Sequence, residues 1–165
     1  MARIPYPDPS HRQAKFEVPL NLFRMLAHAE TTAHSVLALG AEFLGQLALR
    51  PRLRELAILQ VAHLSGSRYV WAQHAPIALL FGITQEQIEA IQQGTQRAAF
   101  QDEDQLILQF TAEIGGNAEI PDVLFEQVTQ TFSPREIVEV LLLVGYYRML
   151  ARTLTILDVE IDPLL

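Results

Sequence analysis

No cysteine occurs among the 165 residues, and that one absence removes a great deal of chemistry. Disulfides, thiolate nucleophiles, cysteine-based zinc sites and iron–sulfur clusters are all excluded. Charge is also sparse: charged residues make up 19% of the chain, the net charge is −7, and no basic run is present. The electrostatic attraction that drives nucleic-acid binding is therefore missing, and no nucleic-acid partner is expected. Long apolar runs are lacking too. The most apolar late segment, Val140 to Tyr147, lies between Glu139 and Arg148. It falls far short of the ~20 residues that cross a bilayer, so no membrane partner is expected. Met1 to Pro9 carries Pro5, Pro7 and Pro9 where a signal peptide would need an apolar core, which makes a cytoplasmic protein the expectation.

Half of the residues are hydrophobic, in a chain long enough to build one domain with a sizeable core. That is rich in apolar surface for this length, so part of it is expected between subunits. Residues 1–20 read as an extended arm, because Pro5, Pro7, Pro9 and Pro19 forbid a continuous helix. Residues 21–165 read as one helical domain. Asn21 to Ala27 and Thr32 to Leu47 have helical spacing, and Pro51 suits the first position of a third helix ending near Gly66. A fourth runs from about Ser67 to Phe81 and stops at Gly82. Thr84-x-x-Gln87 and Ser133-x-x-Glu136 are capping boxes, the second reinforced by Pro134. Between them lie helices at about Asp102–Ile114 and Asp122–Phe132, separated by a turn at Gly115-Gly116-Asn117. No strand-length alternation of β-branched residues occurs. The fold class is all-α, a compact bundle of about seven or eight helices.

The third helix is apolar almost all round from Glu55 to Leu64, the pattern of an element buried on most sides. An acid such as Glu55 is costly there unless it has a partner; the alternative is a favourable charge in the first helical turn, near Arg52 and Arg54. The glycine turn at Gly66 then opens a helix carrying Ser67, Val70 and His74 on one face. An antiparallel hairpin around Gly66 puts Glu55 and His74 at similar height, where a carboxylate can orient an imidazole for acid/base work. The alternative for His74 is a structural core residue. His63 falls roughly on the side of Glu55 and can line a pocket or an interface. With no H-x-x-x-H or E-x-x-H pair, no metal site and no cofactor are expected. Tyr69, Trp71, Tyr146 and Tyr147 read as core or interface aromatics.

The stretch from Arg52 to Gly82, RLRELAILQVAHLSGSRYVWAQHAPIALLFG, resembles the core motif of the carboxymuconolactone decarboxylase and alkylhydroperoxidase-like family. NLFRMLAHA upstream and GYYRMLARTL in the last helix extend the likeness over most of the chain. The peroxidase branch of that family carries a Glu, eleven residues, a Cys, two residues, a second Cys, three residues and a His. Those positions are Glu55, Ser67, Val70 and His74 here, so the spacing is kept and both thiols are gone. Members without the cysteine pair carry GSEYEWAQH or similar, whose two acids are replaced by Arg68 and Val70.

The resemblance implies a helical bundle assembled as a homo-oligomer, a trimer or hexamer, with a Glu55/Ser67/His74 pocket near a subunit interface. It implies decarboxylase-type acid/base chemistry on a small organic acid or lactone, with Glu55, His74 and Ser67 as catalytic residues. Arg68 and Arg54 are candidates to hold an anionic substrate, and Val70 and His63 to line its site; both arginines are alternatively surface charges. A non-catalytic binding or assembly member of the family is the competing expectation. Thiol peroxidase chemistry is contradicted by Ser67 and Val70, which supply neither a nucleophilic nor a resolving thiol.

Overall fold

The computed structural model describes residues 1–7, 20–94, 99–116 and 119–162. Most of the expected arm, residues 8–19, and Asn117 of the expected glycine turn lie outside the described residues. Among the described residues the chain forms eight helices and no strand. They are α1 (Asn21–Leu26), α2 (Ala33–Gly45), α3 (Pro51–Leu64), α4 (Arg68–Leu80), α5 (Gln85–Gln93), α6 (Asp102–Gly116), α7 (Asp122–Thr131) and α8 (Pro134–Ile156).

The start signals act as their chemistry dictates. Pro51 and Pro134 occupy first-turn positions, and both capping boxes close reciprocally, Thr84 with Gln87 and Ser133 with Glu136. α3 is the axis of the bundle. Every residue from Leu53 to Ala62 is buried, because α4, α5, α6 and α8 pack around it. A helix apolar on all sides has no other stable place. Its Leu56, Ile58 and Leu59 join Ile107 and Phe110 of α6 and Leu143 of α8 in one continuous core. Arg52 fastens this axis at its start, reaching Asp104 of α6 at 2.7 Å, Gln87 of α5 and the Gly82 carbonyl.

The glycine pair Gly115-Gly116 does not end α6 where the sequence suggests; the helix continues through Gly116. Arg148 of α8 donates to the carbonyls of Ile114 and Gly115, so the helix end is satisfied by a side chain from another element. α1 begins in a similar borrowed way. Its cap residue, Leu20, offers no side-chain acceptor. The Asn21 amide donates instead to Asp162 at 2.8 Å, and the Leu22 amide to the Tyr69 hydroxyl at 3.1 Å.

α2 meets α8 at Gly40, where a β-carbon would press into the Tyr146 hydroxyl, which itself donates to the Val36 carbonyl at 3.0 Å. Gly40→Ala is therefore expected to overpack this crossing and destabilise the fold by about 1–3 kcal/mol in urea unfolding. Gly45→Ala, at a position with open space around it, is the control and should be neutral or stabilising by up to about 1 kcal/mol. Equal effects at the two positions would show that the approach of Tyr146 is not what Gly40 provides.

Candidate active site

α3 ends in a turn at Gly66, whose φ of +60° lies in the left-handed region that glycine adopts without strain. Ser67 then caps α4, its hydroxyl accepting from the Val70 amide at 3.4 Å. α4 runs back along α3, and His74 comes level with Glu55. Nδ1 of His74 lies 2.8 Å from Oε2 of Glu55, with the carboxylate fully enclosed and the imidazole 7% exposed. Glu55 is too deep in α3 to act as a first-turn charge, and no acid occupies that turn.

The second carboxylate oxygen is taken as well. Arg54 Nε donates to Glu55 Oε1 at 2.9 Å, while its Nη1 donates to the Leu44 carbonyl at 2.8 Å. The guanidinium lies 5.1 Å from the ring centroid of Phe81. Arg54, Glu55 and His74 thus form a buried chain of three groups. Arg54 matches the carboxylate charge, so the cluster is balanced with the imidazole neutral. In that state Nδ1–H donates to Glu55 and Nε2 is the acceptor that remains.

His74 forms part of the wall of a cavity of about 260 Å³ bordered by α1, α2, α4 and α8. Leu22, Phe23, Leu44, Val70, Ile77 and Leu150 make it predominantly apolar. The polar contributions come from Tyr69, Gln73, His74, Tyr146 and Tyr147. Tyr147 stands edge-on to His74, ring centroids 5.0 Å apart at 88°, and Tyr146 packs against Tyr147 in the same manner. Burial, reinforced by the negative charge of Glu55, pushes the Tyr147 hydroxyl far above the ordinary phenol range. Burial and the hydrogen bond to Asp162 do the same for Tyr69. Both remain proton donors at any working pH.

The structure separates residues that the sequence groups. Ser67 is buried and outside this cavity; with His63 and Arg68 it lines a shallow depression on the other side of α4. Its hydroxyl serves as a helix cap. Arg54 is spent on Glu55 and Leu44, and Arg68 faces the outer depression, so neither arginine contributes to the cavity wall. Val70 does line it. His63 does not join Glu55 and His74, and among the described residues no three His, Asp or Glu side chains converge as metal ligands would. Tyr69, Gln73 and Tyr147 belong to the wall as well. Nothing in the local sequence marks them, since Tyr69 and Gln73 stand five residues and one residue before His74, off its helical repeat.

A model of the carboxymuconolactone decarboxylase family matches residues 30–111, which contain the whole of α3 and α4. No curated protein matches the chain in sequence. Solved structures match in fold. An alkylhydroperoxidase AhpD core from Ralstonia eutropha, an uncharacterised peroxidase-related protein, superposes with a TM-score of 0.82 at 16% identity, over 98% of this chain and 92% of that one. A protein of unknown function from Agrobacterium tumefaciens, whose name links it to AhpD antioxidant defence, gives 0.75 at 20% identity over 84% and 96%. The debrominase Bmp8, in complex with 2,3,4-tribromopyrrole, gives 0.73 at 13% identity over 86% and 76%. At these identities the likeness establishes the fold and leaves the chemistry to the residues present.

The three-group chain makes a stability prediction. Glu55→Gln leaves the Arg54 charge buried without its partner and is expected to cost about 3–5 kcal/mol. The double variant Arg54→Met/Glu55→Gln removes both charges and should recover most of that loss in thermal or urea unfolding. A single variant as stable as wild type would mean that Arg54 and Glu55 do not depend on one another.

Proposed function

Because the chain belongs to the carboxymuconolactone decarboxylase and alkylhydroperoxidase-like family, we propose that it is an acid/base enzyme in which His74, positioned by Glu55, moves a proton to or from a small organic molecule in the interhelical cavity. The observation that carries this reading is the 2.8 Å contact between His74 Nδ1 and a fully buried carboxylate, at a residue that lines the cavity. A carboxylate on Nδ1 fixes the tautomer and leaves Nε2 for the reacting molecule. In a lyase-type step Nε2 of His74 takes a proton from the carbon beside a carbonyl, or that carbon loses carbon dioxide while His74 carries a proton taken from water, and the electron pair passes into the carbonyl. The imidazolium form of His74 then gives its Nε2 proton to the enolate carbon, returning to the neutral base. Of the two substrate types the family implies, a lactone suits the cavity better than a free acid, because no lysine or arginine among the described residues lines the wall. No thiol is available for hydroperoxide reduction.

A non-catalytic binding role is favoured by one feature. Val70 stands in the wall where cysteine-less relatives carry an acid, so His74 has no second carboxyl one turn away.

Deuterium uptake from heavy water, beside the carbonyl of a small lactone such as α-angelica lactone, tests the proposal. His74→Gln should lower the rate by about 10²–10⁴-fold, the contribution of a positioned acid or base. The balanced variant Arg54→Met/Glu55→Gln, and its combination with His74→Gln, should be little worse than His74→Gln alone. Exchange that does not depend on His74, or no exchange above buffer, would leave the binding role as the better reading.

We also propose a cytoplasmic homo-oligomer, a trimer or hexamer, as the working form. Val138, Leu142, Met149 and Ile156 form an exposed apolar stripe along α8, repeating at helical spacing. No helix among the described residues is long and apolar enough to cross a membrane, so the stripe is not part of a membrane-spanning helix. Sedimentation at micromolar concentration should give a trimer or larger. A stable monomer of 18.6 kDa would overturn the oligomer.

A further inference from the structure

Two polar groups of the cavity wall are left over, on rings that meet edge to face. His74 Nδ1 is committed to Glu55, which leaves Nε2. The Tyr147 hydroxyl, on a residue only 4% exposed, has no hydrogen-bond partner among the described residues and belongs to the same wall. The other hydroxyls are engaged: Tyr69 with Asp162 and the Leu22 amide, Tyr146 with the Val36 carbonyl. Nε2, an acceptor whenever the imidazole is neutral, and the Tyr147 hydroxyl, which burial keeps protonated, therefore border the same apolar space.

We propose that this cavity binds a small, uncharged, single-ring molecule bearing one hydroxyl, a phenol or a ring enol, whose oxygen gives its proton to His74 Nε2 and accepts one from Tyr147. A single hydroxyl satisfies both groups at once, which a carbonyl or a hydrocarbon does not. The volume of about 260 Å³ sets the size. A cavity of ~150 Å³ already holds benzene, so one ring with short substituents fills this one.

Charge sets the class. A carboxylate ligand would enter a wall without lysine or arginine, close to Glu55, and the Arg54 guanidinium is already held by Glu55 and the Leu44 carbonyl. Such a ligand would lose its hydration without gaining a counter-charge. A neutral hydroxyl loses less hydration than a carboxylate and gains two hydrogen bonds in apolar surroundings. This inference rests on the same His74 site as the proposed acid/base function, and narrows its ligand to a neutral ring.

Calorimetric titration at about pH 8, where an ordinary imidazole is neutral and a phenol still protonated, with 4-chlorophenol, 4-chlorotoluene and 4-chlorobenzoate separates the contributions, since the three share a ring and differ at one substituent. The phenol should bind at least about tenfold more tightly than either of the others, the effect of one hydrogen bond. Tyr147→Phe should weaken the phenol about tenfold and leave the toluene unchanged, and His74→Gln should also weaken the phenol. Benzoate binding as tightly as the phenol overturns the neutral class, and toluene binding as tightly overturns the hydroxyl pairing. Binding of none of the three overturns the cavity as a site for single-ring molecules. A protein that exchanges lactone protons through His74 yet prefers the benzoate would refute this inference and keep the acid/base reading. One that binds the phenol through Tyr147 but moves no proton would do the reverse.

Discussion

A carboxylate with no exposed surface needs compensation from every side, and Glu55 imposes that requirement on the whole bundle. Its two oxygens are met by different elements. Arg54, on α3 itself, takes one, and His74 of α4 takes the other. The second contact fixes how α4 is turned about its own axis, because the imidazole has to face α3. That rotation in turn puts Val70 and Ile77 into the cavity wall and leaves Arg68 and Trp71 outside, beside His63. Arg54 extends the same constraint to α2 through the Leu44 carbonyl, and to the end of α4 through Phe81. One buried acid thus sets the relation of three helices and the direction of the histidine.

The roof of the cavity rests on a second, separate device. α1 is only six residues long and has no capping side chain of its own, so alone it would be marginal. Asp162, far along the chain, supplies the missing acceptor at the Asn21 amide and also receives the Tyr69 hydroxyl. Glu160, nearby in sequence, accepts from the Ala2 amide and the Tyr6 hydroxyl, and the Tyr6 hydrogen bond holds its carboxyl well below the usual range, at about 2. The segment after α8 therefore ties down the beginning of the chain and α1 together. The floor of the cavity is fixed by a buried charge, and the roof by borrowed hydrogen bonds that are easier to open.

Helix positions are legible in the sequence because their signals are local. A capping box, a proline at a helix start and an all-round apolar stretch each act within a few residues, and Thr84, Ser133, Pro51 and α3 behave accordingly. The facing of Glu55 and His74 is legible for a similar reason, since a hairpin about one glycine turn pairs positions symmetrically around it. The role of Arg54 is not. Neighbouring helical side chains ordinarily diverge, and only the length of the arginine lets it curl back onto the next residue. Arg148 at the end of α6, Asp162 at the start of α1 and Tyr147 against His74 all act across long stretches of sequence, where periodicity carries no information. Ser67 marks the opposite limit. Its alignment with a thiol position suggests chemistry, whereas its place just before α4 dictates capping.

The loss of both thiols leaves the frame around Glu55 intact because neither thiol position supports it. Ser67 serves the helix start, and Val70, with no polar side-chain atom, adds only core packing. The two replacements still change what the site can do. An acid at position 70 would bring charge into the wall; valine brings none. An apolar wall strengthens each hydrogen bond made against it and raises the penalty on any ion brought in. Arg54 offsets the charge of Glu55, and Glu55 takes Nδ1 of His74, which leaves Nε2 as the second polar atom of the imidazole. What stands in this wall is an imidazole held by a buried carboxylate, three buried phenols and apolar side chains, with no lysine or arginine among the described residues.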